Sequence, residues 1–308
     1  MSGGRSLTPG IYVPLVTPFR ESGAVDWGSL ERIAEGCLAQ GAAGLVALGT
    51  TGEPATLSED EKDGVISCCS AVCRDRQRPL IAGVGGNDTA AVAREVERRG
   101  ARGDTDAILS VVPYYTRPSE AGIVEHFKVI AAASAVPLLP YNIPFRTGRR
   151  LSASAVLELA ADDRILGVKQ SVGRIDEDTL SLVLDAPAGF LVMSGDDAFL
   201  FAMLSLGAAG GITASAHLVT AHFVHMHQAV MAERPVEARR LARALAPLVG
   251  ALFAEPSPAV LKGVLAARGQ IPTGTLRLPM TAAQPASVDD AASALAALDE
   301  AAAPARAP

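Results

Sequence analysis

Only four lysines occur in this chain, and arginine carries nearly all of the remaining positive charge. One of them, Lys169, interrupts an apolar run at Ile165-Leu166-Gly167-Val168. A lysine amine withdrawn from water gives up its proton more readily than a solvated one, and the free amine attacks carbonyl carbon. Arginine cannot take that role, because its guanidinium stays protonated. The competing reading is a strand-end lysine whose stem lies along apolar surface while its charge reaches water. The local residues leave both open.

Four more segments carry groups suited to carbonyl chemistry. Gly49-Thr50-Thr51-Gly52-Glu53 is a glycine-flanked turn whose hydroxyls and backbone N–H groups can hold a carboxylate without a full positive charge. Val112-Pro113-Tyr114-Tyr115 holds two of the four tyrosines. A third lies in Tyr141-Asn142-Ile143-Pro144-Phe145-Arg146-Thr147-Gly148, and Ser194-Gly195-Asp196-Asp197 completes the set. Carbinolamine formation and dehydration require proton transfers, which a phenol with hydroxyl neighbours can relay. Taken singly, each segment also reads as something ordinary: a glycine turn, a core tyrosine, a surface arginine.

These segments share one position relative to the regular elements. Short apolar runs at 11–16, 44–48, 80–82, 107–112, 138–141, 166–169, 190–193 and 211–213 read as strands. Amphipathic stretches at 27–39, 58–73, 89–99, 120–133 and 152–161 read as helices between them, the second opened by a Ser58/Glu61 capping box. Alternation of this kind indicates α/β architecture around a parallel sheet. An open doubly wound sheet is disfavoured, since no Gly-x-Gly-x-x-Gly follows the first strand. The expectation is a TIM (β/α)8 barrel, a fold that commonly takes about 250 residues. In such barrels the active site lies at the C-terminal ends of the strands, where all five segments fall.

The barrel is expected over residues 1–230, with a small helical C-terminal extension over 231–280. Helical patterns at 221–231, 236–252 and 259–268 are too many for one closing barrel helix. An alanine-dominated tail over 281–308 reads as a frayed surface helix or as disordered chain. Pro140 is a poor residue for a central strand, and its place near the strand's end reduces the conflict.

A net charge of −6 and the lack of any block of like charges argue against nucleic-acid binding. No apolar run approaches the roughly 18 residues of a membrane span, and no signal-peptide core develops, so a cytoplasmic location is expected. Cys37, Cys68, Cys69 and Cys73 lack zinc-ribbon spacing and read as small buried hydrophobes. His222, His225 and His227 share one helical segment with no carboxylate placed to join them, and read as surface or interface histidines.

In this order and spacing, GTTGE, PYY, YNxPxRTG, GVK and SGDD resemble the dihydrodipicolinate synthase and N-acetylneuraminate lyase superfamily, from about Ile11 to Met280. The resemblance implies a pyruvate-dependent class I aldolase, typically a homotetramer acting on small molecules, with neither metal nor organic cofactor. It implies that Lys169 forms the Schiff base with pyruvate and that Tyr141 moves protons at the same carbon. Thr50 would link Tyr141 to Tyr115, which reaches in from a neighbouring subunit. Thr50 and Thr51 would bind the pyruvate carboxylate, Gly195 would lie in the substrate pocket, and the Ile212 carbonyl would face the lysine. Arg146 resembles the synthase arginine that binds the carboxylate of L-aspartate 4-semialdehyde, as a planar guanidinium suits a carboxylate.

Two residues depart from the synthase pattern. Gln170 follows the lysine where synthases usually carry glutamate, and Val112 replaces a common threonine. Another keto-acid aldolase, lyase or dehydratase of the superfamily, or a non-catalytic keto-acid-binding relative, therefore stands as the alternative. In lysine-inhibited members the resemblance places a regulatory pocket at the segments matching Glu59 to Lys62 and Asn87 to Ala91. Asn87 and Tyr114 fit it, whereas Glu59 and Lys62 replace histidines and Ala91 replaces the acid that meets lysine's amine.

Overall fold

The computed structural model describes residues 5–302. Eight parallel strands close into a barrel in sequence order: β1 (Gly10–Pro14), β2 (Gly44–Ala47), β3 (Leu80–Gly83), β4 (Ala107–Val111), β5 (Leu138–Asn142), β6 (Gly167–Gln170), β7 (Leu191–Ser194) and β8 (Gly210–Ile212). Around them run α1 (Trp27–Ala39), α2 (Glu59–Asp75), α3 (Thr89–Arg102), α4 (Glu120–Ala133), the single turn α5 (Pro144–Thr147), α6 (Ala153–Leu159), α7 (Glu177–Asp185), α8 (Leu200–Leu206) and α9 (Ala216–Met231). Short polar side chains start many of these helices by accepting an otherwise unpaired N–H: Asp26, Ser58, Asp88, Ser119, Ser152 and Asp176. The expected Ser58/Glu61 capping box is present.

Alternation along the strands builds two apolar layers. Tyr12, Val46, Ile81, Leu109, Leu139, Met193 and Ile212 fill the barrel, while Ile11, Leu45, Ile108, Leu138, Val168 and Val192 pack outward against the helices. Pro140 is not near the end of β5 but at its middle, paired with Ser110 of β4. The ladder on the other side explains how it is tolerated. Pairing of β5 with β6 breaks between a Leu138–Ile165 bridge and the Tyr141–Lys169 pair, so the missing N–H falls in a gap.

Beyond the barrel, α10 (Pro235–Leu252), α11 (Ala259–Ala267) and α12 (Pro285–Ala302) form the extension. The alanine-rich segment is thus neither frayed surface helix nor disordered chain over these residues. It packs on α10 and α11, burying Ala291, Leu295 and Leu298. Those three positions make one helical stripe, and each buried leucine contributes about 1.5–3 kcal/mol. Pro304 and Pro308 lie outside the described residues.

Candidate active site

Lys169 and Tyr141 are direct cross-strand partners near the C-terminal ends of β6 and β5. Lys169 is the penultimate residue of its strand rather than the last, because Gln170 continues it. Both side chains are 6% exposed, and the Lys169 Nζ lies 4.1 Å from the centroid of the Tyr141 ring. Strand alternation sets their direction. Val168 belongs to the outer layer, and the Gln170 Nε2 donates to Thr179 Oγ1 on α7 at 3.1 Å, so Lys169 between them points into the barrel. Gln170 also accepts from Asn142 Nδ2 at 2.9 Å. The amide that departs from the synthase pattern therefore braces β5, β6 and α7, and its side chain faces away from the lysine.

Gly195, just after β7, makes room for the lysine stem. A Cβ there would lie 2.8 Å from Lys169 Cε and 2.7 Å from Ser171 Cβ, so any side chain would displace the amine's support. Ile212 ends β8, 1% exposed, in the same inner layer as Tyr141.

After β2 the chain turns sharply, with Leu48 held at φ 56. Glycine at position 83 of β3 permits this, because a Cβ there would sit 2.1 Å from the Leu48 carbonyl oxygen. Thr50–Gly52 then forms one tight turn, with Thr51 buried and Thr50 exposed to a cavity of about 740 Å³. Tyr141, Arg146 and Tyr114 also line that cavity. Lys169 does not form its wall; its amine lies against the Tyr141 ring that does. Arg146, on α5, stacks over the exposed ring of Phe145 at 5.0 Å.

Thr51, Gly195 and Ile212, like Lys169, stand behind the cavity wall, whereas Tyr115 points away from the site into solvent. It is 88% exposed at a φ of 66, and no hydrogen bond among the described residues joins it to Thr50 or Tyr141. A non-glycine residue in the left-handed region costs energy, and such positions concentrate at functional sites.

Two acids of Ser194-Gly195-Asp196-Asp197 hold the backbone around the site without being among the residues that the sequence points to. Asp197 accepts from the backbone N–H groups of Ala214 at 3.2 Å and Ser215 at 2.6 Å, pinning the chain as it leaves β8. Burial pushes its carboxyl above the usual range, while the Ser215 hydrogen bonds and the charge of Lys169 oppose that shift. Asp196 accepts from Ser171 Oγ at 2.6 Å and Gly173 N at 2.8 Å, joining the loops that follow β6 and β7. The available signal was their adjacency to Gly195. Among the histidines, His227 lies against the Ala209 carbonyl at 3.1 Å. No group of three or more His, Cys, Asp or Glu among the described residues is arranged to hold a metal ion.

Comparison with known proteins identifies the family. The model of the dihydrodipicolinate synthetase family matches residues 7–298. The chain belongs to the dihydrodipicolinate synthetase family. It is 39% identical to the 4-hydroxy-tetrahydrodipicolinate synthase of Moorella thermoacetica, over 96% of this chain and 98% of that one. Among solved members, the chloride-inhibited dihydrodipicolinate synthase of Acinetobacter baumannii, complexed with pyruvate, superposes with a TM-score of 0.90 at 34% identity, covering 96% of this chain and 99% of that one. The dihydrodipicolinate synthase of Cyanidioschyzon merolae, with lysine bound, also gives a TM-score of 0.90, at 31% identity over 95% and 99% of the two chains. The family is one of lyases of the class I aldolase type, and its barrel is the one expected from the strand–helix alternation.

Proposed function

We propose that this member of the family condenses pyruvate with L-aspartate 4-semialdehyde to 4-hydroxy-tetrahydrodipicolinate through an imine on Lys169. The observation that carries the assignment is the Lys169–Tyr141 pair: a buried amine 4.1 Å from a phenol ring, beside a cavity lined by Thr50 and Arg146. In this reading the amine adds to the keto carbon of pyruvate, and the keto oxygen leaves as water with a proton delivered through the Tyr141 phenol. Loss of a methyl proton from the iminium gives an enamine. Its carbon attacks the semialdehyde carbonyl, forming the new C–C bond, and the semialdehyde's own amino group then displaces Lys169 and closes the ring. The protonated imine is the electron sink, so the steps call for no metal or organic cofactor.

Thr50 and Thr51 hold the pyruvate carboxylate in this scheme, and Tyr115 of a neighbouring copy completes the relay through Thr50. That role makes the working form at least a dimer, and assembly as a homotetramer is part of the proposal. So is a cytoplasmic location; no helix of the described residues is long and apolar enough to cross a membrane.

Arg146 is assigned the carboxylate of the second substrate. Its replacement by alanine is expected to raise the KM for aspartate semialdehyde about ten- to a hundredfold, the scale of a lost hydrogen bond to a charged group. Trapping of pyruvate at Lys169 should persist in this variant. Steady-state rates against both substrates make the test. If the unmodified protein fails to consume aspartate semialdehyde while trapping pyruvate, the substrate belongs to another keto-acid aldolase of the superfamily.

Free lysine is expected not to inhibit. Lys62, Asn87, Ala91 and Tyr114 line one arm of the cavity, and Asn87 Oδ1 accepts from Tyr114 N at 2.9 Å. Of the acids that line the cavity with Ala91, Glu59 accepts from Lys62 Nζ at 2.8 Å and Glu95 is paired with Arg98 and Arg99. A second ammonium would meet a like charge and an alanine methyl, and burying a charge without a partner is costly. Initial rates at saturating pyruvate should stay flat as lysine rises to millimolar levels; clear inhibition there would show that another group receives the amine.

A further inference from the structure

A second lysine is more deeply buried than Lys169 and has no part in the proposed chemistry. Lys262 on α11 is 0% exposed, within Ala259-Val260-Leu261-Lys262-Gly263-Val264-Leu265. Its Nζ donates to Glu53 Oε1 at 2.8 Å and to the Thr17 carbonyl at 3.0 Å, and lies 4.1 Å from the centroid of the Phe19 ring. Glu53 is the last residue of Gly49-Thr50-Thr51-Gly52-Glu53 and stands in the left-handed region at φ 53. Its other oxygen accepts from the backbone N–H of Arg277 at 3.2 Å.

These contacts surround the threonine turn on its C-terminal side. Thr17 Oγ1 donates to the Gly52 carbonyl at 2.7 Å, and Arg277 Nη1 donates to the Thr56 carbonyl at 2.7 Å. The Arg277 guanidinium packs on the same Phe19 ring, 4.6 Å from its centroid. Ser257 and Pro258 before α11, and Pro279 and Met280 after Arg277, reach the cavity wall beside Glu53. The C-terminal extension thus contacts the substrate loop through charged, directional bonds, of which the Lys262–Glu53 pair is sealed from water and those of Arg277 are partly buried.

We propose that Lys262 is a positioning residue for pyruvate binding. Acting through Glu53 and Thr17, it fixes the turn that presents Thr50 and Thr51 to the substrate carboxylate. The proposal rests on the assignment of that carboxylate to the two threonines. A carboxylate held at both oxygens defines the direction of the chain bearing it, which an apolar contact of equal area does not. A left-handed residue such as Glu53 keeps its conformation only where its surroundings over-determine it. A buried ion pair is, by contrast, a weak source of stability, since apolar replacements of similar volume often leave stability unchanged or raised. Stability and positioning are therefore separable by substitution.

The test uses the full-length protein in three variants. Lys262→Met alone strands the Glu53 carboxylate, so the informative variant is the double Lys262→Met/Glu53→Gln, which removes both charges at nearly constant volume. Thr17→Val removes the hydroxyl bonded to Gly52 while leaving the pair intact. Leu295→Ala loosens α12, no residue of which lines the cavity, and reports on destabilisation of the extension.

The double variant is expected to keep a thermal midpoint near that of the parent, with pyruvate KM raised about tenfold or more and kcat changed much less. That is the scale of one lost hydrogen bond to a charged group. Thr17→Val should raise the same KM several-fold, and Leu295→Ala should lower the midpoint while leaving the pyruvate KM unchanged. A double variant that folds and keeps the parent's pyruvate KM overturns the proposal, as does an equal rise in Leu295→Ala. Should the double variant not fold, an unchanged KM in Thr17→Val overturns it. Failure of the unmodified protein to form a borohydride-trapped pyruvate adduct is a different result, and it removes the underlying substrate assignment.

Discussion

Lys169→Met should abolish turnover while leaving the protein at least as stable as before. Methionine keeps the apolar stem and removes only the amine, which lies against the Tyr141 ring and belongs to none of the ion pairs among the described residues. Taking the amine out of a site only 6% exposed relieves burial of a polar group, which offsets the lost contact with the Tyr141 ring and the lost charge near Asp197. No other lysine can stand in. Lys262 is sealed at 0% exposure and engaged by Glu53, while Lys62 and Lys128 lie on helices α2 and α4 and pair with acids there. The expected loss is on the order of a thousandfold or more, as for removal of a covalent nucleophile, equivalent to about 4 kcal/mol in the barrier. Rates and thermal midpoints measured on the same preparation check both halves. Residual turnover within tenfold of the parent would mean that the reaction does not run through this amine.

The second large effect is expected at Tyr141. Phenylalanine preserves the ring that packs against the lysine and lines the cavity, and deletes only the phenolic proton donor. A positioned acid–base group typically contributes about a hundredfold to ten-thousandfold. Tyr141→Phe should therefore fall by at least a hundredfold in kcat, while slow pyruvate trapping at Lys169 survives because the nucleophile remains. A variant with near-parental kcat would leave the ring as a packing element and send the proton elsewhere.

Much of this site was legible because the strand ends are chemically unlike the strands. A lysine among Ile165, Leu166 and Val168 stands out, and so do tyrosines in a chain with only four. The apolar runs placed all eight strands within a residue or two of β1–β8. Contacts made across the fold were harder to read. Lys262 carries the same signal as Lys169, one lysine inside an apolar segment, yet its partner Glu53 is 209 positions away in sequence. The stripe at Ala291, Leu295 and Leu298 was diluted by surrounding alanines, which fit exposed and buried helix alike. Pro140 reads as easier to place near a strand end, since a gap in the β5–β6 ladder depends on the neighbouring strand and not on local residues. Gln170 departs from the synthase pattern in sequence, yet period-two alternation turns its side chain away from the lysine and toward Thr179. Tyr115 remains the residue whose proposed work depends on a second copy of the chain, as its 88% exposure in one copy agrees with.

The most direct test of the central claim is covalent. The protein is incubated with pyruvate, treated with borohydride, digested, and its peptides are weighed by mass spectrometry. The account predicts one reduced pyruvate per chain, carried by the peptide containing Lys169, with activity lost in proportion to labelling. Labelling at Lys62, Lys128 or Lys262, or none at all under conditions in which the protein turns over, would contradict it.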